Sequence, residues 1–234
     1  MKFKKIVGFG DSFMYGDELI DPTLDSAIHH SNELNTAYRE QHCFLGQIGQ
    51  HYQCPVENFG QSGGSLQSAM WTFLWWLEHE ANPEQCLILV GLTNSYRFSH
   101  YNPHRQLSPN DPQWNRFAHS TWVEDDYPQF KNLVKIQTTI TDCPELRKLR
   151  YQQAVMLFDG VAARRNLSLS QVNVFAPPIQ ISNTPTLLWP SWSMVDWING
   201  YPEYKKPNGH PNEQGHQMIA NRLISYWDSC IIKG

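Results

Sequence analysis

The chain has 234 residues, of which 41% are hydrophobic and 17% charged, with a formal net charge of -4. That length suits one domain with a substantial core rather than two small ones, and the composition excludes an intrinsically disordered chain. Without a block of like charge, the sequence also lacks the basic footprint of a nucleic-acid binder and the polybasic patch of a membrane-surface protein.

The first residues, Met1 to Val7, hold the lysines of a signal peptide, but the apolar run breaks at once on Gly8, Gly10 and Asp11, so export by this segment is not expected. No stretch approaches the ~18 apolar residues of a membrane span. Lys5 to Phe9 is a short apolar run closed by glycine, as a buried strand would be. Phe44, Leu45, Ile48 and Tyr52 predict a helix, and Val56 to Phe59 a second strand. Leu66, Ala69, Met70, Phe73, Leu74 and Leu77 have helical spacing and stop before Asn82-Pro83, after which Cys86 to Val90 predicts a third strand.

Ser95 to Thr141 breaks this rhythm. It is rich in Pro, Asn, His and aromatic residues and reads as a long insertion, at about 95–141, within a single domain spanning 1–234. Asp142 with Glu145 resembles a capping box, with Pro144 in the first turn, and opens a helix to about Arg165. A fourth strand is predicted at Val172 to Phe175. Pro177 to Asn208 reads as another loop, containing Trp189, Trp192 and Trp197. Pro211-Asn212 starts a last helix with Met218, Ile219, Leu223, Ile224 and Trp227, in which His216 is a structural histidine. Strands alternating with helices predict a parallel sheet covered on both faces. The five cysteines are widely spaced and contain no C-x-x-C pair, so free thiols in a reducing cytoplasm are expected rather than disulfides or a zinc site.

The chemistry-bearing residues gather at predicted strand ends. Gly10-Asp11-Ser12 follows the first strand, Gly60-Gln61-Ser62-Gly63-Gly64 the second and Gly91-Leu92-Thr93-Asn94 the third, while Asn208-Gly209-His210 precedes the last helix. In a parallel sheet the strand ends lie along one edge. A hydroxyl, amide donors and an imidazole there make the inventory for acyl transfer.

On these blocks the chain resembles the SGNH, or GDSL-type, hydrolases over essentially its full length. The resemblance implies a three-layer α/β/α sandwich with a mostly parallel, flavodoxin-like sheet, and no cofactor or metal. It implies Ser12 as nucleophile, His210 as base, an oxyanion hole of the Ser12 and Gly63 amides with the Asn94 side chain, and Asp11 in support. The substrate class it implies is a small-molecule or carbohydrate ester, and the tryptophan-containing loop favours carbohydrate O-acetyl groups.

The sequence departs from that pattern in two places. The third block has Asn94 displaced by one residue from its usual spacing after the glycine. More consequentially, the aspartate expected two or three residues before the base is replaced by Pro207 and Asn208. A neutral amide cannot stabilise an imidazolium as a carboxylate does. Three answers stay open: Asp196 reaches His210, a backbone carbonyl orients it in a Ser-His dyad, or the site has little or no turnover and the chain is a binding protein on the same scaffold. Gly60 to Gly64 also satisfies G-x-S-x-G, which would make Ser62 the nucleophile of an α/β-hydrolase. Gly8-Phe9-Gly10 is a poor dinucleotide loop, because Phe13 stands at the third glycine position.

Overall fold

The computed structural model describes residues 3–25, 32–101, 114–117, 132, 135, 143–182 and 184–231. Strand β1 (Lys5–Gly10) leads into the single-turn helix α1 (Ser12–Tyr15), and α2 (Thr36–His42) and α3 (Phe44–Tyr52) precede β2 (Val56–Gly60). Helix α4 (Leu66–His79) then returns the chain to β3 (Cys86–Leu92), and β4 (Phe98–Tyr101) pairs with β5 (Trp114–Phe117) as a separate antiparallel ribbon. Helix α5 (Pro144–Arg165), β6 (Ser168–Asn173), β7 (Leu187–Leu188), α6 (Met194–Asn199) and α7 (Glu213–Ile231) complete the order.

The main sheet runs β2-β1-β3-β6-β7 and every pairing in it is parallel. Its strands alternate between two apolar layers. Ile6, Leu87 and Leu89 pack with Phe44, Ile48, Ile219 and Leu223 on one face, while Val7, Phe9, Ile88 and Val90 pack with Phe73, Trp76, Val155 and Phe158 on the other. Burial on both faces is why β1 and β3 read as continuous apolar runs. The result is the expected three-layer α/β/α sandwich with a flavodoxin-like strand order, whose direction reverses at β1 and β3.

Three local expectations are corrected. The fourth strand of the sheet starts at Ser168, ahead of the apolar run from Val172. Its buried polar residues have partners that replace water: Ser170 Oγ accepts from Trp227 Nε1 at 3.1 Å, and Gln171 Nε2 donates to the Val155 carbonyl at 3.1 Å. Helix α5 has Cys143 as its N-cap with no side-chain bond, and Asp142 lies outside the described residues, as does most of the 95–141 insertion. The loop expected from Pro177 to Asn208 contains β7, α6 and a 3-10 turn at Pro202–Tyr204. Among the described residues no helix is long and apolar enough to cross a membrane.

Register sets the site. Gly10 pairs with Gly60 and Phe9 with Val90, so the carboxyl ends of β1, β2 and β3 lie level. Two glycines let neighbouring backbone come close. A Cβ at Gly60 would stand 2.4 Å from the Tyr15 amide nitrogen, and one at Gly64 2.9 Å from the Gly10 carbonyl oxygen. Because the obstacles are main-chain atoms, no rotamer change relieves them.

Candidate active site

Ser12 opens α1 and is 3% exposed. Asp11 caps that turn, its Oδ1 accepting the Phe13 amide at 3.1 Å. Its Oδ2 accepts the Thr93 hydroxyl at 2.5 Å and Arg97 Nη1 at 3.3 Å. The same Nη1 donates to the Gly64 carbonyl at 3.4 Å and to Thr93 Oγ1 at 3.2 Å. One guanidinium therefore ties together the segments that follow β1, β2 and β3, and its three partners are the chain neighbours of Ser12, Gly63 and Asn94. Burial pushes the Asp11 carboxyl above its ordinary value, while the Arg97 charge and the Thr93 and Phe13 donors pull against that shift. Asp11 thus caps the turn that opens at Ser12.

Gly63 adopts the left-handed region, at φ 65, within the turn after β2. Among the described residues, neither the Ser12 nor the Gly63 amide hydrogen is taken by another protein acceptor. Asn94, half-buried, follows the end of β3, and its carbonyl accepts the Arg97 amide at 3.2 Å.

His210 arrives on a tight antiparallel turn. The Lys206 amide donates to the His210 carbonyl at 2.8 Å, Gly209 donates back to Lys206, and Gly209 takes φ 89, where glycine is favoured. Asn212 then caps α7, its Oδ1 accepting the Gly215 amide at 3.0 Å. The imidazole packs on Phe13, the residue after Ser12, with ring centroids 5.7 Å apart. Among the described residues no hydrogen bond joins Ser12 to His210.

The partner of His210 is one that the sequence did not announce. His210 Nδ1 lies 3.1 Å from Glu18 Oε2, and Asn208 Nδ2 donates to the other oxygen of the same carboxylate, Oε1. Glu18 stands in the left-handed region at φ 66 and its side chain is 16% exposed. Asp17 is nearby on the opposite nitrogen, with Oδ2 4.0 Å from His210 Nε2. The only advance signal was a pair of acidic residues shortly after the Gly-Asp-Ser block.

Asp196 is committed elsewhere. It forms the capping box of α6, accepting the Ser193 amide at 2.9 Å and the Ser193 hydroxyl at 2.7 Å. Ser62 is exposed on a turn and donates to Asp17 Oδ2 at 2.6 Å. Helix α4 starts only at Leu66, capped by Ser65, so Ser62 does not occupy the sharp strand-to-helix elbow that G-x-S-x-G requires. Trp189 and Trp197 meet edge to face at 5.1 Å, and Arg222 of α7 lies 4.7 Å over the Trp197 ring. Both anchor the loop to α7, whereas Trp192 is 55% exposed. His216 is fully buried in α7, accepting the Phe44 amide through Nδ1 at 3.2 Å, as suits a structural histidine.

No family model matches the sequence, and no curated protein matches it. Solved structures do resemble it at low identity. One is described as a carbohydrate esterase whose active site displays divergent catalytic and non-catalytic binding functions; it is 14% identical, with a TM-score of 0.48 over 98% of this chain and 66% of that one. The chain thus spans slightly less than two thirds of that protein's length. A member of the lipolytic protein G-D-S-L family from Veillonella parvula is 13% identical, with a TM-score of 0.39 over 94% of this chain and 96% of that one. An SGNH-hydrolase family esterase is 15% identical, with a TM-score of 0.39 over 100% of this chain and 97% of that one. The structural neighbours of this chain are therefore esterases and lipolytic proteins of the G-D-S-L, or SGNH, kind.

Proposed function

We propose that the chain is a serine hydrolase that cleaves a small carboxylic ester by acyl transfer through Ser12 and His210. The observation that carries this reading is the Arg97 staple. It draws together the residues adjoining Ser12, Gly63 and Asn94 at the level carboxyl ends of β1, β2 and β3, beside the ring of His210. In open α/β sheets ligands bind at that edge, where the strand order reverses.

Ser12 Oγ attacks the ester carbonyl carbon while His210 Nε2 takes its proton. Nδ1 is engaged by Glu18, which leaves Nε2 as the nitrogen for proton exchange. The Ser12 and Gly63 amides and the Asn94 side chain donate to the oxyanion of the tetrahedral intermediate. Its collapse expels the alcohol, which receives the proton from His210. Water, deprotonated by the same imidazole, then releases the acid and restores Ser12.

A carbohydrate O-acetyl ester belongs to this substrate class. Trp192 is the residue of the loop that favours it, because its ring is exposed and its carbonyl accepts Asn173 Nδ2, at the end of β6, at 3.2 Å. Hydrolysis of p-nitrophenyl acetate by wild type, Ser12→Ala and Ser62→Ala tests the reading. Ser12→Ala is expected to lower kcat by about a thousand-fold or more while Ser62→Ala retains activity. Loss confined to Ser62→Ala would name the wrong serine, and an inert wild type would favour a binding protein.

A further inference from the structure

We propose that Glu18 is the positioning residue for His210, taking the role that an aspartate on the histidine's own loop would have, and that Asn208 clamps Glu18 instead of orienting the imidazole. The inference rests on the Ser12–His210 reading. It starts from the contacts: one carboxylate oxygen faces His210 Nδ1 at 3.1 Å and the other accepts Asn208 Nδ2. A carboxylate bound at both oxygens has little freedom to turn away. The amide at position 208 is thereby explained, because a carboxylate there would face Glu18 with like charge.

The backbone supports the same assignment. Glu18 holds φ 66, a conformation that side chains other than glycine and asparagine rarely adopt and that recurs at functional sites. It is held there from both sides. Asp17 and Gly16 donate their amides to the Ser12 carbonyl at 3.0 and 2.9 Å, and the Leu19 carbonyl accepts Asn35 Nδ2 at 2.7 Å. Flanking Asp17 and Leu19 are both buried. Nucleophile and orienting acid thus leave the same short turn after β1, and the base alone comes from the far end of the chain.

The chemistry follows from which nitrogen is held. A carboxylate accepting from Nδ1–H fixes the neutral tautomer with its lone pair on Nε2, and the imidazolium formed on proton transfer keeps its Nδ1 proton facing that carboxylate. The other charged or titratable groups near the ring do not take this part. Asp17 lies beyond hydrogen-bond distance of Nε2 and accepts the Ser62 hydroxyl, Asp11 is bound by Arg97, and His216 is buried against the Phe44 amide.

The test uses the full chain as wild type, Glu18→Gln, Glu18→Asp and Glu18→Gly, with two readouts. The first is kcat and KM, measured separately, on p-nitrophenyl acetate. Glu18→Gln is expected to lower kcat by about a hundred-fold to ten-thousand-fold with little change in KM, and to be partly rescued in Glu18→Asp. Glu18→Gly relaxes the left-handed backbone, so it should unfold no earlier than wild type while losing comparable activity, which a purely structural role would not produce. The second readout is the His210 tautomer by nitrogen NMR, which needs no turnover: Nδ1–H in wild type, mixed in Glu18→Gln. An unchanged tautomer and an unchanged kcat in Glu18→Gln, with activity still lost in Ser12→Ala, would overturn the Glu18 assignment alone. Activity retained in Ser12→Ala would overturn the hydrolase reading beneath it.

Discussion

Glu18 and His210 meet at 3.1 Å although they stand 192 positions apart, and the contact joins the turn that carries Ser12 to the loop that enters α7. A strained turn after β1 and a tight turn before α7 must both form before this pair exists. It also changes what substitutions around the site are expected to do.

Position 208 gives the clearest reversal. If Asn208 were the empty seat of an orienting aspartate, Asn208→Asp would raise activity. With Glu18 accepting its amide, Asn208→Asp sets two carboxylates against each other and removes a donor. We expect kcat/KM for p-nitrophenyl acetate to fall by about tenfold, and less at high salt because position 208 is exposed. Asn208→Ala should cost less, since it removes the clamp without adding charge. A large gain in Asn208→Asp would return the orienting role to that position.

Arg97 is expected to matter for both folding and rate. Arg97→Ala leaves the buried Asp11 carboxylate without its cation and frees the turns after β2 and β3. The cost should be about 1.5–3 kcal/mol, as for other hydrogen bonds to charged groups, read as a lower midpoint in urea unfolding. Arg97→Lys should recover part of this, because all three contacts are made by one nitrogen and an ammonium carries three donors and the same charge. The activity of the folded fraction should fall in both variants.

His216 sets an acid limit on stability. Burial holds its imidazole neutral and lowers its pKa from 6.5 to about 3. Between those values the unfolded chain binds a proton that the folded chain does not, so stability is lost as pH falls through this window. The slope should approach 1.4 kcal/mol per pH unit from this group. Urea unfolding between pH 4 and 7 measures it, and the His216→Gln variant should show a slope smaller by about that amount.

Thiol labelling should divide the cysteines by burial. Cys43 and Cys86 are buried and their thiols are pushed up to about 11, whereas Cys143 and Cys230 are exposed. A chromogenic disulfide reagent at pH 8 should therefore react quickly with Cys143 and Cys230 in the native chain, and with all five cysteines after denaturation. Rapid native labelling of Cys43 would mean that the core between α3 and β1 opens readily.

Much of the architecture was legible because burial leaves a periodic trace. Strands β1 and β3 are apolar at successive positions because both faces are covered, and α4 repeats at helical spacing because one stripe meets the sheet. The start of β6 left no such trace, since Ser168 is polar and Ser170 and Gln171 are polar residues given partners by the fold. Strand β7 and helix α6 are too short for their periodicity to stand out among the prolines and tryptophans around them.

The sequence by itself determined the alternation of strands and helices and the short blocks that end at Ser12, Gly63, Asn94 and His210, because hydrophobic period and turn chemistry are local properties. Only the tertiary structure decided which carboxylate stands behind His210. Asp196 lies nearer to it along the chain yet caps α6, while Glu18 reaches it through a left-handed turn and a clamp from Asn208. Contacts between groups so far apart in the chain are selected by where rigid elements bring their ends, and that placement has no local sequence signature.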